Sequence, residues 1–294
     1  MKMLRYIYVS LAAVAILSAC EKEIDSSGTG GGSGSGNVTL NFSPTIEDLS
    51  RSATSDIGNY FTKLNVQVFD QAGNKVFDKV KTQTSSDEGF GQMKLQLAAG
   101  TYTVVAVGHS STISATIKSP TVCQFTASNG EKLTDTFCHC SKIEVGEEGN
   151  SFTLSMYRAV AMIQLCFSDE TTPDNFAHVK MEYTGGSANF NPSTLEGITK
   201  SSQSETRATN GMNIYQAYTF PYMAVSGVLK LTVTALDTDG NVIRKREFEN
   251  VPVTRNRIST YNGRFFEDGD GEFTMSDFGF VVHADWDGED TYEF

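Results

Sequence analysis

The chain has 294 residues, 39% of them hydrophobic, with 23 Lys and Arg against 35 Asp and Glu and a formal net charge of −12. That length fits one large domain or two ordinary ones with a sizeable core. An acidic surface repels phosphate backbones, which excludes a nucleic-acid partner and argues against adhesion to an anionic membrane through the protein's own side chains.

The N-terminus opens with Lys2 and Arg5, followed by an apolar run from Tyr6 to Leu17. Spanning a bilayer takes about 20 apolar residues, so the run is too short for a transmembrane helix and residues 1–19 read as a secretory signal peptide. Leu17-Ser18-Ala19-Cys20 places small residues immediately before a cysteine. This resembles the lipobox of bacterial lipoproteins, in which cleavage between Ala19 and Cys20 leaves Cys20 as the lipidated first residue. The alternative is an ordinary export site with a cysteine at its edge. Several acyl chains, at roughly 0.8 kcal/mol per buried CH₂, make a stable anchor. Glu21, Lys22, Glu23 and Asp25 follow, and acidic residues there resemble the signal that sends Bacteroidetes lipoproteins to the outer face of the outer membrane. The expected location is therefore the outer membrane, lipid-anchored and facing the exterior. Removing residues 1–19 leaves 275 residues and 21 basic against 35 acidic side chains, a net charge of −14.

Gly28 to Gly36 is a glycine-rich tether, so residues 20–37 join lipid to fold. No apolar strand precedes it and no Lys-Ser/Thr ends it, which rules out a phosphate-binding loop. Val38 to Phe42 reads as the first strand, and Arg51 follows in the small, polar setting Leu49-Ser50-Arg51-Ser52-Ala53. Further strand-like runs are Leu64–Phe69, Met93–Leu97, Thr101–Val107, Ala159–Phe167, Leu229–Leu236 and Gly279–Ala284. Within Leu64-Asn65-Val66-Gln67-Val68 every second residue is apolar, the pattern of a half-buried antiparallel strand. No window sustains a helical period. Residues 64–77 match 231–244 in type at a constant offset of 167, each reading as strand, Asp-x-x-Gly-Asn turn, strand. The fold class expected is all-β, with two β-sandwiches of similar plan over residues 38–157 and 158–294.

Catalytic and metal-binding patterns are scarce. Past Cys20 the cysteines are Cys123, Cys138, Cys140 and Cys166, which allow three pairings or free thiols, and the sequence does not choose. Cys138-His139-Cys140 lacks a second ligand pair at zinc spacing, and in a strand its cysteines face away from the histidine, so no metal is expected. His109 has no orienting acid that the sequence can name. The acidic run Glu267–Glu272 puts Phe273 where a calcium loop needs glycine, so a solvated turn is expected. Trp286 is the single tryptophan, and most of the 11 tyrosines and 19 phenylalanines sit in strand-like runs, as core packing requires. No cofactor is expected, and nothing points to an enzyme.

Several stretches in order carry a family resemblance: Gly100–Gly108 (GTYTVVAVG), Met156–Leu165 (MYRAVAMIQL), Glu182–Ser187 (EYTGGS), Phe248–Gly263 and Ala284–Gly288 (ADWDG). Behind a lipobox, this set is similar to the fimbrial-anchor (FimB-like) lipoproteins of Bacteroidetes, relatives of the fimbrillins that build type V pili. The resemblance covers about residues 38 to 294. It implies two tandem transthyretin-like β-sandwiches, no catalysis, and fimbrial (pilin) subunits as partners bound by β-strand pairing, with a host-surface ligand as a further partner. It also implies a choice at Arg51. Stalk and tip subunits lose an N-terminal segment to a protease cutting after arginine, whereas an anchor keeps its lipid; an uncut surface arginine is the simpler reading. A surface lipoprotein that captures glycans for uptake is the alternative function.

Overall fold

The computed structural model describes residues 36–44, 57–125, 133–148, 150–224 and 226–267. The signal peptide, Ala19, Cys20, Arg51, the strand-like run Gly279–Ala284 and Trp286 lie outside these residues. Their regular structure is strand apart from a single 3-10 turn at Ile57–Asn59. Nine strands come first: β1 (Gly36–Pro44), β2 (Lys63–Phe69), β3 (Lys81–Thr84), β4 (Gln92–Leu97), β5 (Gly100–His109), β6 (Thr116–Ser119), β7 (Val122–Gln124), β8 (Phe137–Val145) and β9 (Ser151–Arg158). Ten follow: β10 (Ala161–Phe167), β11 (Phe176–Thr184), β12 (Gly186–Ser187), β13 (Asn189–Asn191), β14 (Glu196–Gly197), β15 (Ser202–Ala208), β16 (Ile214–Pro221), β17 (Ser226–Asp237), β18 (Val242–Thr254) and β19 (Ile258–Gly263).

The first group forms one sheet in the order β3-β2-β5-β8-β9-β1-β4. β8 and β9 pair only through Phe137–Arg158 and Cys138–Tyr157, so the sheet turns a corner there and folds onto itself. Side chains from both arms fill one core: Val38, Leu40 and Phe42 of β1, Leu64, Val66 and Val68 of β2, and Phe152, Leu154 and Met156 of β9. The second group forms β15-β11-β17-β18 and β12-β16-β10-β19, which face each other across Ile163, Leu165, Met181, Leu231, Val233 and Tyr261. Alternation puts these residues on one face of each strand, and their burial drives the two layers together.

Strand for strand, the two plans coincide. In each, the first strand lies between the last, which runs parallel to it, and an antiparallel neighbour: β9-β1-β4 and β19-β10-β16. The opposing layers are β3-β2-β5-β8 and β15-β11-β17-β18. Each plan also carries an insertion, β6–β7 in the first and β12–β14 in the second. The insertions meet through β7 and β13, where Phe190 lies opposite Cys123, and complete a sheet β14-β13-β7-β6 shared by both halves. Beneath it, Val105, Val107 and Cys138 pack with Ile117, Phe125, Phe190 and Phe220 in a third core.

The matched stretches 64–77 and 231–244 do share a turn. Asp70 accepts from the Asn74 amide at 2.8 Å and its side-chain amide at 3.2 Å; Asp237 accepts from the same groups of Asn241 at 2.8 and 3.1 Å. Gly73 and Gly240 adopt φ of 83° and 84°, which glycine takes without strain. Yet the first turn follows β2, whose counterpart is β11, while the second follows β17, whose counterpart is β5. Turn chemistry is local, so it recurred at inequivalent places in a plan that does repeat. β2 also departs from the half-buried expectation: Asn65 and Gln67 are as buried as Leu64 and Val66, Asn65 accepting from His109 and from Ala115 N just before β6, and Gln67 donating to Phe77 O in the β2–β3 connection.

Candidate functional site

β1 (Gly36–Pro44) sits inside the first sheet, between β9 and β4. Val38, Leu40 and Phe42 point into the first core, all 6% exposed or less. On one side β1 pairs antiparallel with β4, from Gly36 opposite Leu97 to Asn41 opposite Gln92. On the other it pairs parallel with β9, from Thr39 opposite Ser151 to Pro44 opposite Met156. Its outward residues form a polar face with those neighbours, mainly amides and hydroxyls with Lys94 opposite Thr39: Asn41 donates to Ser151 Oγ (3.1 Å) and accepts from Gln92 (2.9 Å), and Gln96 donates to Asn37. An edge strand is held by one ladder only. β1 is instead a central strand, held by two ladders and an apolar face.

A second group of residues joins the halves. Arg158, the last residue of β9, is buried and forms a fork with Asp135 (Nε–Oδ1 and Nη2–Oδ2, both 2.8 Å), while its Nη1 donates to Asn256 Oδ1 at 3.0 Å. The guanidinium also lies 4.7 Å over the Phe137 ring. Asn256 sits in the β18–β19 turn at φ 60°, and its amide donates to Val160 O. Burial raises the Asp135 carboxyl above its ordinary range despite the Arg158 fork. The sequence shows only an arginine between two strand-like runs, and nothing in it links that arginine to Asp135 or Asn256.

The residues weighed for chemistry are placed apart. His109 is fully buried; its Nε2 donates to Asn65 Oδ1 (2.8 Å), its ring packs edge-on to Phe125, and its Nδ1 has no partner among the described residues. Cys138 and Cys140 face the third core while His139 points the other way, donating Nδ1–H to Ser155 O (2.7 Å) and accepting at Nε2 from Ser141 (2.7 Å). No disulfide joins the four described cysteines, which resolves the open choice of pairings left by the sequence. Among the described residues no group of three or more His, Cys, Asp or Glu is arranged to hold a metal. Of the acidic run, Glu267 is described: its amide, with those of Phe265 and Phe266, donates to the Asp169 carboxylate at 3.0, 2.7 and 2.6 Å. The rest of that run lies outside the described residues.

The sequence model of one family, described as a family of unknown function (DUF6562), matches residues 31–293. The chain belongs to that family. No curated protein matches it. Among solved structures, this DUF6562 chain is similar to a candidate adhesin of Bacteroides ovatus, at 12% identity and a TM-score of 0.49 over 77% of this chain and 88% of that one. It is also similar to the fimbrial anchor protein Mfa2 of Porphyromonas gingivalis (14% identity, TM-score 0.43, 73% and 83% covered). A fimbrial assembly protein of Parabacteroides distasonis is a third (14%, 0.41, 78% and 90%).

In the DUF6562 chain the strand edges offer the remaining binding surface. β18 is one such edge, and Lys245, Glu247 and Glu249 stud it with charge, a common guard against unwanted pairing. β15 is another, with small Ser202, Ser204 and Thr206 facing outward and Glu205 and Gln203 turned inward.

Proposed function

We propose that this protein is a lipid-anchored fimbrial subunit that acts as the anchor of a pilus, built as two tandem transthyretin-like sandwiches divided at residues 157 and 158, with no catalytic role. The observation that carries the reading is the seat of β1. A tether running from Cys20 would enter the fold at Gly36, and a central strand with two ladders and a buried face is the attachment such a tether needs. The lipobox-like Leu17–Cys20 and the ordered stretches that resemble fimbrial-anchor lipoproteins support the same reading. Pilin is then bound by strand addition at an exposed edge, for which β15 is the less charged candidate.

The same seat frames the alternative maturation. Cutting after Arg51 would release β1 with the tether and open a groove between β4 and β9, as in a stalk or tip subunit. Mass spectrometry of the protein from cells separates the two: an acylated Cys20 with Arg51–Ser52 intact is the anchor outcome, and a chain beginning at Ser52 would overturn it. Independently, Cys20→Ser is expected to shed fibres into the medium, and fibres that stay attached would refute the anchor role. The amide and hydroxyl face of β4, β1 and β9, with Tyr157 38% exposed at its end, favours glycan capture as the second reading. Calorimetry against neutral polysaccharides tests it.

A further inference from the structure

We propose that the fold carries tension along a single line through the molecule, by two parallel strand pairs loaded in shear and connected in series: β1–β9 and β10–β19. The inference rests on topology alone and holds for whatever pulls on the chain, so it stands or falls separately from the fimbrial reading.

The geometry is as follows. β1 and β9 run in the same direction, so the start of β1 at Gly36 and the end of β9 at Arg158 lie at opposite ends of their shared ladder. Pulling these ends apart slides one strand along the other. Every rung from Thr39–Ser151 to Pro44–Met156 then takes load together, and none can break without the rest. The line continues covalently from Arg158 through Ala159 and Val160 into β10. β10 and β19 repeat the arrangement, from Met162 opposite Ile258 to Phe167 opposite Gly263, and β19 delivers the line to the far side. Both entry strands are central, so sliding either one must also shear a second, antiparallel ladder, to β4 or to β16. The intervening strands β2–β8 and β11–β18 lie off the line and need not unfold for tension to pass.

The joint is reinforced where the two pairs meet. Arg158 is tied to Asp135 by its fork and to Asn256 by Nη1. Ala159 N donates to Thr136 O, and Met162 N donates to Arg257 O. A bend at residues 158–160 under load would therefore have to tear buried polar contacts from both halves.

An antiparallel pair gives the internal control. Gly36 lies opposite Leu97, so pulling β1 at its start against the end of β4 opens that ladder one rung at a time. Each rung then resists alone, with no more than a single hydrogen bond.

Single-molecule force spectroscopy on the full chain tests the proposal, with handles placed by azide-bearing residues so that the native thiols stay untouched. One molecule is pulled between Asn37 and Arg264, both exposed and at the two ends of the line; the other is pulled between Asn37 and Ala99, in the exposed turn after β4. At one pulling rate, the first is expected to rupture at about twice the force of the second or more, since forced unfolding follows the barrier along the direction pulled. Equal forces, or a weaker Asn37–Arg264 geometry, would overturn the proposal. Circular dichroism of both handled proteins before pulling establishes that each is folded, so a low force reads as mechanics.

Discussion

Arg158 grips Asp135 through two parallel contacts of 2.8 Å at the point where β9 passes the chain to β10. The guanidinium is 6% exposed and the carboxylate 25%, so the arginine is the more deeply desolvated partner. Removing it leaves an acid whose carboxyl burial already raises, with no countercharge. Arg158→Leu is expected to cost about 3–4 kcal/mol in urea unfolding at pH 7, the lower part of the range for breaking a buried pair. At low pH Asp135 takes up a proton and no longer needs the cation, so the deficit should shrink as pH falls through the acid range. A deficit of the same size at both pH values would mean that lost packing on Phe137, and not the stranded carboxylate, is the cause.

His109 makes the protein sensitive to acid. Burial, followed by the nearby Lys63 ammonium, lowers its pKa from the usual 6.5 to about 4. The groups facing it are Asn65, which accepts from Nε2, and the Phe125 ring; Lys63 itself donates to Ser111 O and Thr112 O. The folded state therefore holds the neutral form. Above pH 6.5 both folded and unfolded chains are neutral and the contribution is whole. As pH falls from 6.5 towards 4 the unfolded chain binds a proton that the folded chain does not, and stability drops, by roughly 3 kcal/mol in all. His109→Gln is expected to flatten this part of the pH–stability curve, leaving the smaller slope from His139, whose pKa burial also lowers. A variant with the wild-type slope would place the acid sensitivity elsewhere.

The strands that sequence shows well are those with one core face. Met93, Leu95 and Leu97 alternate with Gln92, Lys94 and Gln96, and the burial follows the same alternation. Pattern fails where other parts of the chain cover a second face: Asn65 and Gln67 look solvent-facing, yet Asn65 is met by His109 and Ala115 and Gln67 by the Phe77 carbonyl. β12, β13 and β14 span two or three residues each, too few for any period, and exist because β7 and Phe220 are there to receive them. The β1 seat was half legible. The run Val38–Phe42 reads as a strand, but its central place depends on β9, more than a hundred residues away, and no local signal carries that pairing. The Arg158–Asp135–Asn256 joint was illegible for the same reason.

The thiols should behave as sheltered groups that form no cross-link with one another. Burial raises the Cys123 thiol far above its usual range and raises that of Cys166, which is only partly buried. A thiolate is the reactive form, so native Cys123 and Cys138 are expected to resist a thiol reagent that labels Cys166 first. Adding a reductant should leave the melting temperature unchanged to within about 1 °C, because no cross-link joins the described cysteines whose loss would free the unfolded chain. A fall of several degrees would reveal a disulfide.

Gly108 is the tightest test of the first core. It lies in β5 opposite Leu64 and Phe137, and Phe61 lays its ring directly on the backbone. A methyl group at this position would meet ring atoms of Phe61 at 2.5 Å, far inside contact distance. Phe61 cannot retreat easily, since it is 1% exposed and wedged against Phe90 and Phe137. Gly108→Ala should therefore destabilise the protein by about 1–3 kcal/mol, the usual cost of overpacking, even though alanine suits a strand no worse than glycine. Phe61→Leu alone should also destabilise, by opening a void beside Phe90. Together the two should cost less than the sum, because the smaller side chain vacates the space that the methyl needs. Urea unfolding of the four proteins closes the cycle. Strict additivity would show that the ring does not sit on Gly108.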